Sequence, residues 1–376
     1  MTATDRHPEI PQAEAGGILT IHLGAIAENW RALARRAQPA ECAAVIKADA
    51  YGCGIEPVAR ALHRAGCRTF FVAHLSEGRR ARPAAPDAAI YVLNGLLPGT
   101  APAYADADLR PVLGSASEIA EWHAFTATGW QGGAALHVDT GMNRLGLPPD
   151  EAVAMVQSGA LRGLRLTLLM SHLACADEPA HPLNGRQIGS FAELRAAFSA
   201  LPASLANSSG IFLGPDAHHD MVRPGVALYG ANPTPGHANP MRPVVRLEGR
   251  VIQLREVAEG ETVGYGAVWT TRRPTRLAVV SIGYADGFIR AGGASDSRGG
   301  AEAIIAGHRC PIAGRISMDL IALDVTDVPD TAVRRGSLVA FLDDTIGVDE
   351  LAAHAGTIGY EVLTSLGRRY ARIYRD

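Results

Sequence analysis

Residues 43–47 read Ala-Ala-Val-Ile-Lys, an apolar run that ends on a lysine; a helical stretch, Glu56–Ala65, and a second apolar run, Phe70–Ala73, follow. Short apolar runs bounded by turn residues read as buried strands. Strand, helix and strand in succession form one parallel βα unit. The pattern continues with runs at Ala89–Asn94, Pro111–Gly114, Ala135–Asp139, Thr167–Ser171, Ser204–Ser208 and Gly225–Tyr229. Helical stretches at Ser76–Arg82, Ser115–Phe125, Pro149–Gln157 and Asn184–Leu201 lie between most of them. Eight such runs in about 200 residues suit a closed (β/α)8 barrel. The third and eighth helices are poorly marked, and an open doubly wound sheet is the alternative.

The pattern changes at the Pro- and Gly-rich stretch 233–240, a junction by its turn chemistry. The runs beyond it, Val244–Val257, Arg276–Gly283, Ala303–Ala306, Leu320–Val325 and Leu338–Leu342, belong to a mainly-β domain with one helix near Val348–Ala355. The expected organisation is a polar tail over 1–17, a barrel over 18–240 and a β domain over 241–376.

With 376 residues, 47% of them hydrophobic, the chain can bury the cores of about two domains. Only 19% are charged and the net charge is −3, so nothing attracts nucleic acid or an anionic membrane surface. No apolar stretch is long enough to span a bilayer, and the start of the chain lacks the apolar segment of a signal peptide. Five scattered cysteines without paired metal spacing suit a reduced cytoplasm, and no metal is expected. His218-His219 alone cannot converge on an ion.

Of the 35 basic residues, Lys47 is the single lysine. Arginine serves wherever positive charge suffices, so the exception belongs where a primary amine is required. That task is covalent: an imine with a carbonyl or with pyridoxal phosphate (PLP). In a barrel the loops after the strands build the active site. Asp139 with Arg144, Ser171-His172, Asn207 to Gly210, and Arg223 with Gly225-Val226 all fall in such loops. The last two loops commonly hold phosphate, for which Ser208 and Gly225 are suited. Phosphate beside an imine-forming lysine points to PLP.

Seven ordered segments also resemble those of bacterial alanine racemases. They are Val45-Ile-Lys-Ala-Asp-Ala-Tyr-Gly-Cys-Gly54, His137-Val-Asp-Thr-Gly-Met-Asn-Arg-Leu-Gly146, Met221-Val-Arg-Pro-Gly-Val-Ala-Leu-Tyr-Gly230, Val263-Gly-Tyr-Gly-Ala267, Ile282-Gly-Tyr-Ala-Asp-Gly287, Gly314-Arg-Ile-Ser-Met-Asp319 and Gly359-Tyr-Glu-Val362. The resemblance implies a PLP barrel, a β domain and a homodimer with shared active sites. It implies an imine at Lys47, and phosphate contacts from Tyr51, Ser208, Gly225, Val226 and Tyr360. Arg223 would meet the pyridine nitrogen and His172 the ring. Tyr265 would be the second acid/base, acting on the partner's substrate. Met318, through its backbone, and Arg144 would meet the substrate carboxylate. Tyr284, Arg290, Arg315 and Asp319 would line the access corridor.

Taken singly, Tyr265 and Tyr284 read as ordinary β-domain tyrosines, Arg223 as a strand-end ion pair and His172 as a satisfied core histidine. Asp319 reads as a turn residue, Arg290 and Arg315 as solvated arginines, and Asp139 as a local cap. In the implied mechanism, freed Lys47 and Tyr265 serve opposite faces of the substrate. A tyrosine acting as base must be favoured as phenolate, for which Arg144 supplies a candidate cation. Arg223 would keep the ring nitrogen unprotonated, which argues against the basic-amino-acid decarboxylases that share this plan.

His137 stands where many relatives carry a lysine that can be carbamylated to hold the arginine matching Arg144. This chain cannot do so, leaving His137, an anion or a carboxylate for that task. Cys53 replaces a usual histidine. The expected function is interconversion of L- and D-alanine for peptidoglycan. The alternatives are a broad amino-acid racemase and a non-catalytic PLP-binding barrel.

Overall fold

The computed structural model describes residues 10–376. The first half of the expected tail therefore lies outside the described residues. The described chain forms two units: Gly24–Arg242, and a second built from the segment ending at Leu23 together with Pro243–Asp376.

In the first unit every neighbouring strand pair is parallel. The order along the chain is Glu41–Cys42, Ala44–Val45, Thr69–Val72, Ala89–Val92, Arg110–Leu113, Ala134–His137, Leu166–Met170, Ala203–Ser204 and Met221–Val222. The first two are halves of one stave. Glu41–Cys42 pairs with Met221–Val222, Ala44–Val45 pairs with Phe70–Phe71, and between them the Ala43 N–H donates to the Val222 carbonyl at 2.9 Å. The sheet thus returns on itself as an eight-stave barrel, and the open-sheet alternative falls. Phe70, Phe71, Ile90, Leu136 and Leu169 are completely buried. Strands covered on both faces need such continuous apolar runs.

Two expectations change. The poorly marked third helix exists, as Ala101–Asp106. The eighth stave is Met221–Val222, and the run expected there, Gly225–Tyr229, is instead a 3-10 turn over Val226–Tyr229. Pro224 has no N–H for the ladder. Beyond it, the Gly225 and Ala227 N–H groups donate to the Ser208 hydroxyl rather than to a strand.

The second unit is organised on the long strand Val245–Val257. It pairs antiparallel with Gly17–His22, Thr275–Val280 and Leu338–Leu342. Helices Val348–Ala355 and Gly359–Ser365 follow, the second unforeseen from sequence. The expected barrel start at residue 18 is corrected: Gly17–His22 lies between Val245–Val257 and the parallel final strand Ala371–Arg375. Ile18, Leu19 and Ile21 are buried there. The preceding residues are tied down too, since Arg250 donates to the Gln12 and Ala15 carbonyls.

Because Leu19 is fully buried in this strand, Leu19→Ala is expected to cost about 2–5 kcal/mol. Urea denaturation followed by tryptophan fluorescence checks this; an unchanged midpoint would mean that the strand contributes nothing to the unit.

Candidate active site

Lys47 does not end the strand, as expected, but opens a turn of inverted hand. The residues after it, Ala48, Asp49, Ala50 and Tyr51, have φ of 53°, 54°, 54° and 51°. For L-residues this conformation costs roughly 1–2 kcal/mol each, so neighbouring groups must stabilise it. The Ala50 N–H donates to the Ile46 carbonyl and the Gly52 N–H to that of Ala48. Glu77 accepts the Ala48 N–H at 2.6 Å and the Asp49 N–H at 3.3 Å. Asp49 in turn accepts the Ile55 N–H and an Arg80 bond at 2.7 Å. Half-buried Lys47 has its amine pKa lowered from the ordinary value, first by burial and then by the Arg144 charge, against an opposing pull from Glu77. A lysine moved toward its neutral form is a better nucleophile for a carbonyl.

Tyr51 leaves this turn and stacks on Tyr229 with ring centroids 4.6 Å apart. The Tyr229 hydroxyl donates to the Val45 carbonyl. A Cβ on Gly225 would sit 2.4 Å from the Tyr51 hydroxyl oxygen, so a larger residue there would have to displace the Tyr51 ring. The Ser208 hydroxyl accepts two N–H groups, leaving its own hydrogen to donate onward. Val226 opens its 3-10 turn, where helix starts leave N–H groups unpaired. Tyr51, Ser208, Gly225 and Val226 thus meet at the mouth beside Lys47.

Arg223 lies deeper and is buried. It donates to the Ser204 hydroxyl at 2.5 Å, to the Ser171 carbonyl at 2.6 Å and to His172 Nδ1 at 3.3 Å. It forms no ion pair with a carboxylate among the described residues, which removes the ion-pair reading. Burial lowers it to about 9, still cationic at neutral pH. His172 is pushed well down by burial and then by Arg223, so it is neutral and accepts through Nδ1. A buried donor-only charge suits a ligand atom that accepts, such as an unprotonated ring nitrogen. With the small-residue corner at Ser208 and Gly225, which could hold a phosphate, and the amine, this donor set fits PLP.

Asp139 is the cap that the sequence suggested. It accepts the N–H groups of Gly141, Met142 and Asn143, each at 2.8 Å. These bonds hold the backbone of the loop carrying Arg144. The Arg144 guanidinium itself is exposed and has no hydrogen bond or ion pair among the described residues. His137 lies buried nearby, lowered to about 4 by burial and then by Arg223.

The remaining expected residues are in the second unit. Tyr265 is 70% exposed on a tight turn, and a Cβ on the following Gly266 would come within 2.6 Å of the Arg315 guanidinium. Tyr284, Met318 and Tyr360 are exposed as well. Arg290 and Arg315 line a cleft of about 560 Å³ with Arg298 and Asp296. Asp319 is more than a turn residue: Arg369 bridges it at 2.8 Å and Asp286 at 3.1 Å. Sequence reasoning missed Glu77, Ser204, Tyr229 and Arg369. Glu77 is three residues past His74, a capping spacing that reads as ordinary helix chemistry.

Folded His137 titrates below the usual histidine range, so its contribution to stability is intact above about pH 6.5 and is lost as pH falls toward 4. The loss is at most about 3 kcal/mol. His137→Asn should therefore show a smaller fall in unfolding free energy between pH 7 and pH 4.5 than the wild type. Urea titrations at the two pH values check this, and equal falls would count against a buried neutral His137.

The description "Alanine racemase, N-terminal domain" fits residues 21–233, and "Alanine racemase, C-terminal domain" fits residues 244–374. An alanine racemase of Methylobacterium nodulans is 60% identical over 375 residues, covering 100% of this chain and 98% of that one. One from Methylobacterium sp. strain 4-46 is 58% identical over the full length of both chains. The crystal structure of alanine racemase from Bartonella henselae with covalently bound pyridoxal phosphate superimposes with a TM-score of 0.90 at 39% identity, covering 96% of this chain and 99% of that one. With both units matched and the barrel mouth built as described, the chain belongs to the alanine racemase family.

Proposed function

We propose that this chain is a PLP-dependent racemase that interconverts L- and D-alanine with two bases, Lys47 of one protomer and Tyr265 of a second copy. The observation that carries the reading is the placement of the single amine side chain, shifted toward neutrality, at the mouth that also holds Ser208, Gly225 and buried Arg223. When bound, PLP supplies an electron-withdrawing imine that acidifies the substrate Cα–H. Lys47 holds the cofactor and then moves a proton on one face of Cα. The Tyr265 hydroxyl moves a proton on the other.

Tyr51, Ser208, Gly225, Val226 and Tyr360 hold the phosphate. His172 would lie against the ring. Arg223 would donate to the ring nitrogen and could not readily surrender a proton to it. Arg144 and the Met318 N–H, which has no partner among the described residues, orient the substrate carboxylate. Tyr284, Arg290, Arg315 and Asp319 line the approach.

Exposure of Tyr265, Met318, Ile358 and Tyr360 on the β unit supports a homodimer, because a second copy would cover them. All five cysteines are free, which supports a cytoplasmic setting. No helix among the described residues is long and apolar enough to cross a membrane. D-alanine for peptidoglycan is the role proposed.

Incubation with L-alanine, L-serine and L-arginine, followed by chiral chromatography, tests the reading. Alanine alone should racemise; comparable rates on all three would favour a broad racemase, and PLP binding without turnover a carrier. In deuterium oxide, Tyr265→Phe should retain α-hydrogen exchange on one alanine enantiomer while losing it on the other by about 100-fold or more. Equal loss on both would remove the two-face division.

A further inference from the structure

We infer that Glu77 is the positioning residue for Lys47, its carboxylate holding the left-handed turn that presents the amine. This rests on the proposed role of Lys47 as the cofactor-binding base. One Glu77 oxygen accepts the Ala48 and Asp49 N–H groups at 2.6 and 3.3 Å, and the other accepts those of Ala73 and His74 at 2.8 and 3.1 Å. A carboxylate has about four acceptor positions, and four N–H groups fill them. The two pairs come from loops after adjacent staves, Ala44–Val45 and Thr69–Val72.

The Ala48 and Asp49 N–H groups are the first donors of the left-handed turn, which its own backbone cannot satisfy. The Ala73 and His74 groups lead into the right-handed helix Leu75–Ala81. One side chain therefore caps two turns of opposite hand and fixes them to each other. Lys47 immediately precedes the capped residues, so its direction from the barrel wall depends on that bond pair. Glutamine is not an equivalent. It would offer one acceptor oxygen and turn an NH2 group toward two N–H donors. Aspartate is one methylene short.

The test compares holoenzymes: wild type, Glu77→Gln, Ala48→Gly and the double variant. The readouts are kcat and KM for L-alanine and the rate of PLP release on dilution, followed by absorbance. Glu77→Gln should lose kcat on the order of 100-fold, with KM changed by no more than about threefold and PLP released faster. Glycine adopts positive φ without a Cβ penalty. Adding Ala48→Gly should therefore restore kcat about fivefold and slow PLP release.

Two results would overturn the inference. One is a Glu77→Gln enzyme within threefold of wild type by both readouts. The other is an impaired enzyme that Ala48→Gly does not improve, which would make the Glu77 charge rather than the turn the relevant property. If Glu77→Gln does not accumulate as folded protein, Glu77→Asp is compared with and without Ala48→Gly under the same two outcomes. A wild-type enzyme that fails to racemise alanine would count against the proposed function instead.

Discussion

The segment 41–51 closes the barrel, and the site depends on that closure. Glu41–Cys42 and Ala44–Val45 bond to staves on opposite sides. The Ala43 and Val45 N–H groups reach the Val222 and Pro224 carbonyls at 2.9 Å. The last stave is thereby locked beside the first. The loop after it, with Gly225 and Val226, comes to lie against Tyr51, and the Tyr51–Tyr229 stack is the direct result. The loops carrying Lys47 and Gly225 lie at the same end of the barrel because the first and eighth staves must meet.

A second constraint is charge without a counter-charge. Arg223 is fully enclosed, yet its bonds run to hydroxyl, carbonyl and imidazole acceptors. A carboxylate would quench it locally; neutral acceptors leave its field to act on its surroundings. That field and burial together keep His172 and His137 neutral. Arg144 adds to burial in drawing Lys47 toward its free-base form. Positive charge held apart from carboxylates thus favours the neutral form of Lys47 and would suit anionic groups.

The barrel and the β unit were legible because buried parallel strands need unbroken apolar runs, and those runs stand out in the sequence. Lys47 stands out as a candidate in the sequence because it is unique. The false eighth strand, Gly225–Tyr229, is as apolar as a real one; Pro224 and the Ser208 hydroxyl divert it, and only the second of these is a long-range contact. The inverted turn after Lys47 was hidden for a similar reason. Ala-Asp-Ala-Tyr has no local preference for positive φ, and the groups that hold it, Glu77 and Arg80, come from another βα unit. The Asp139 cap was readable because its partners are two to four residues away.

The strand Gly17–His22 has its parallel neighbour at Ala371–Arg375, with Ile18 opposite Ala371. Nearly the whole chain separates these partners, and the barrel is inserted between the pieces of one β unit. On the ribosome Gly17–His22 emerges before the barrel and must wait for Ala371–Arg375 to be translated. All the residues of the barrel emerge before then. Vectorial synthesis therefore allows the barrel to form before the β unit is complete.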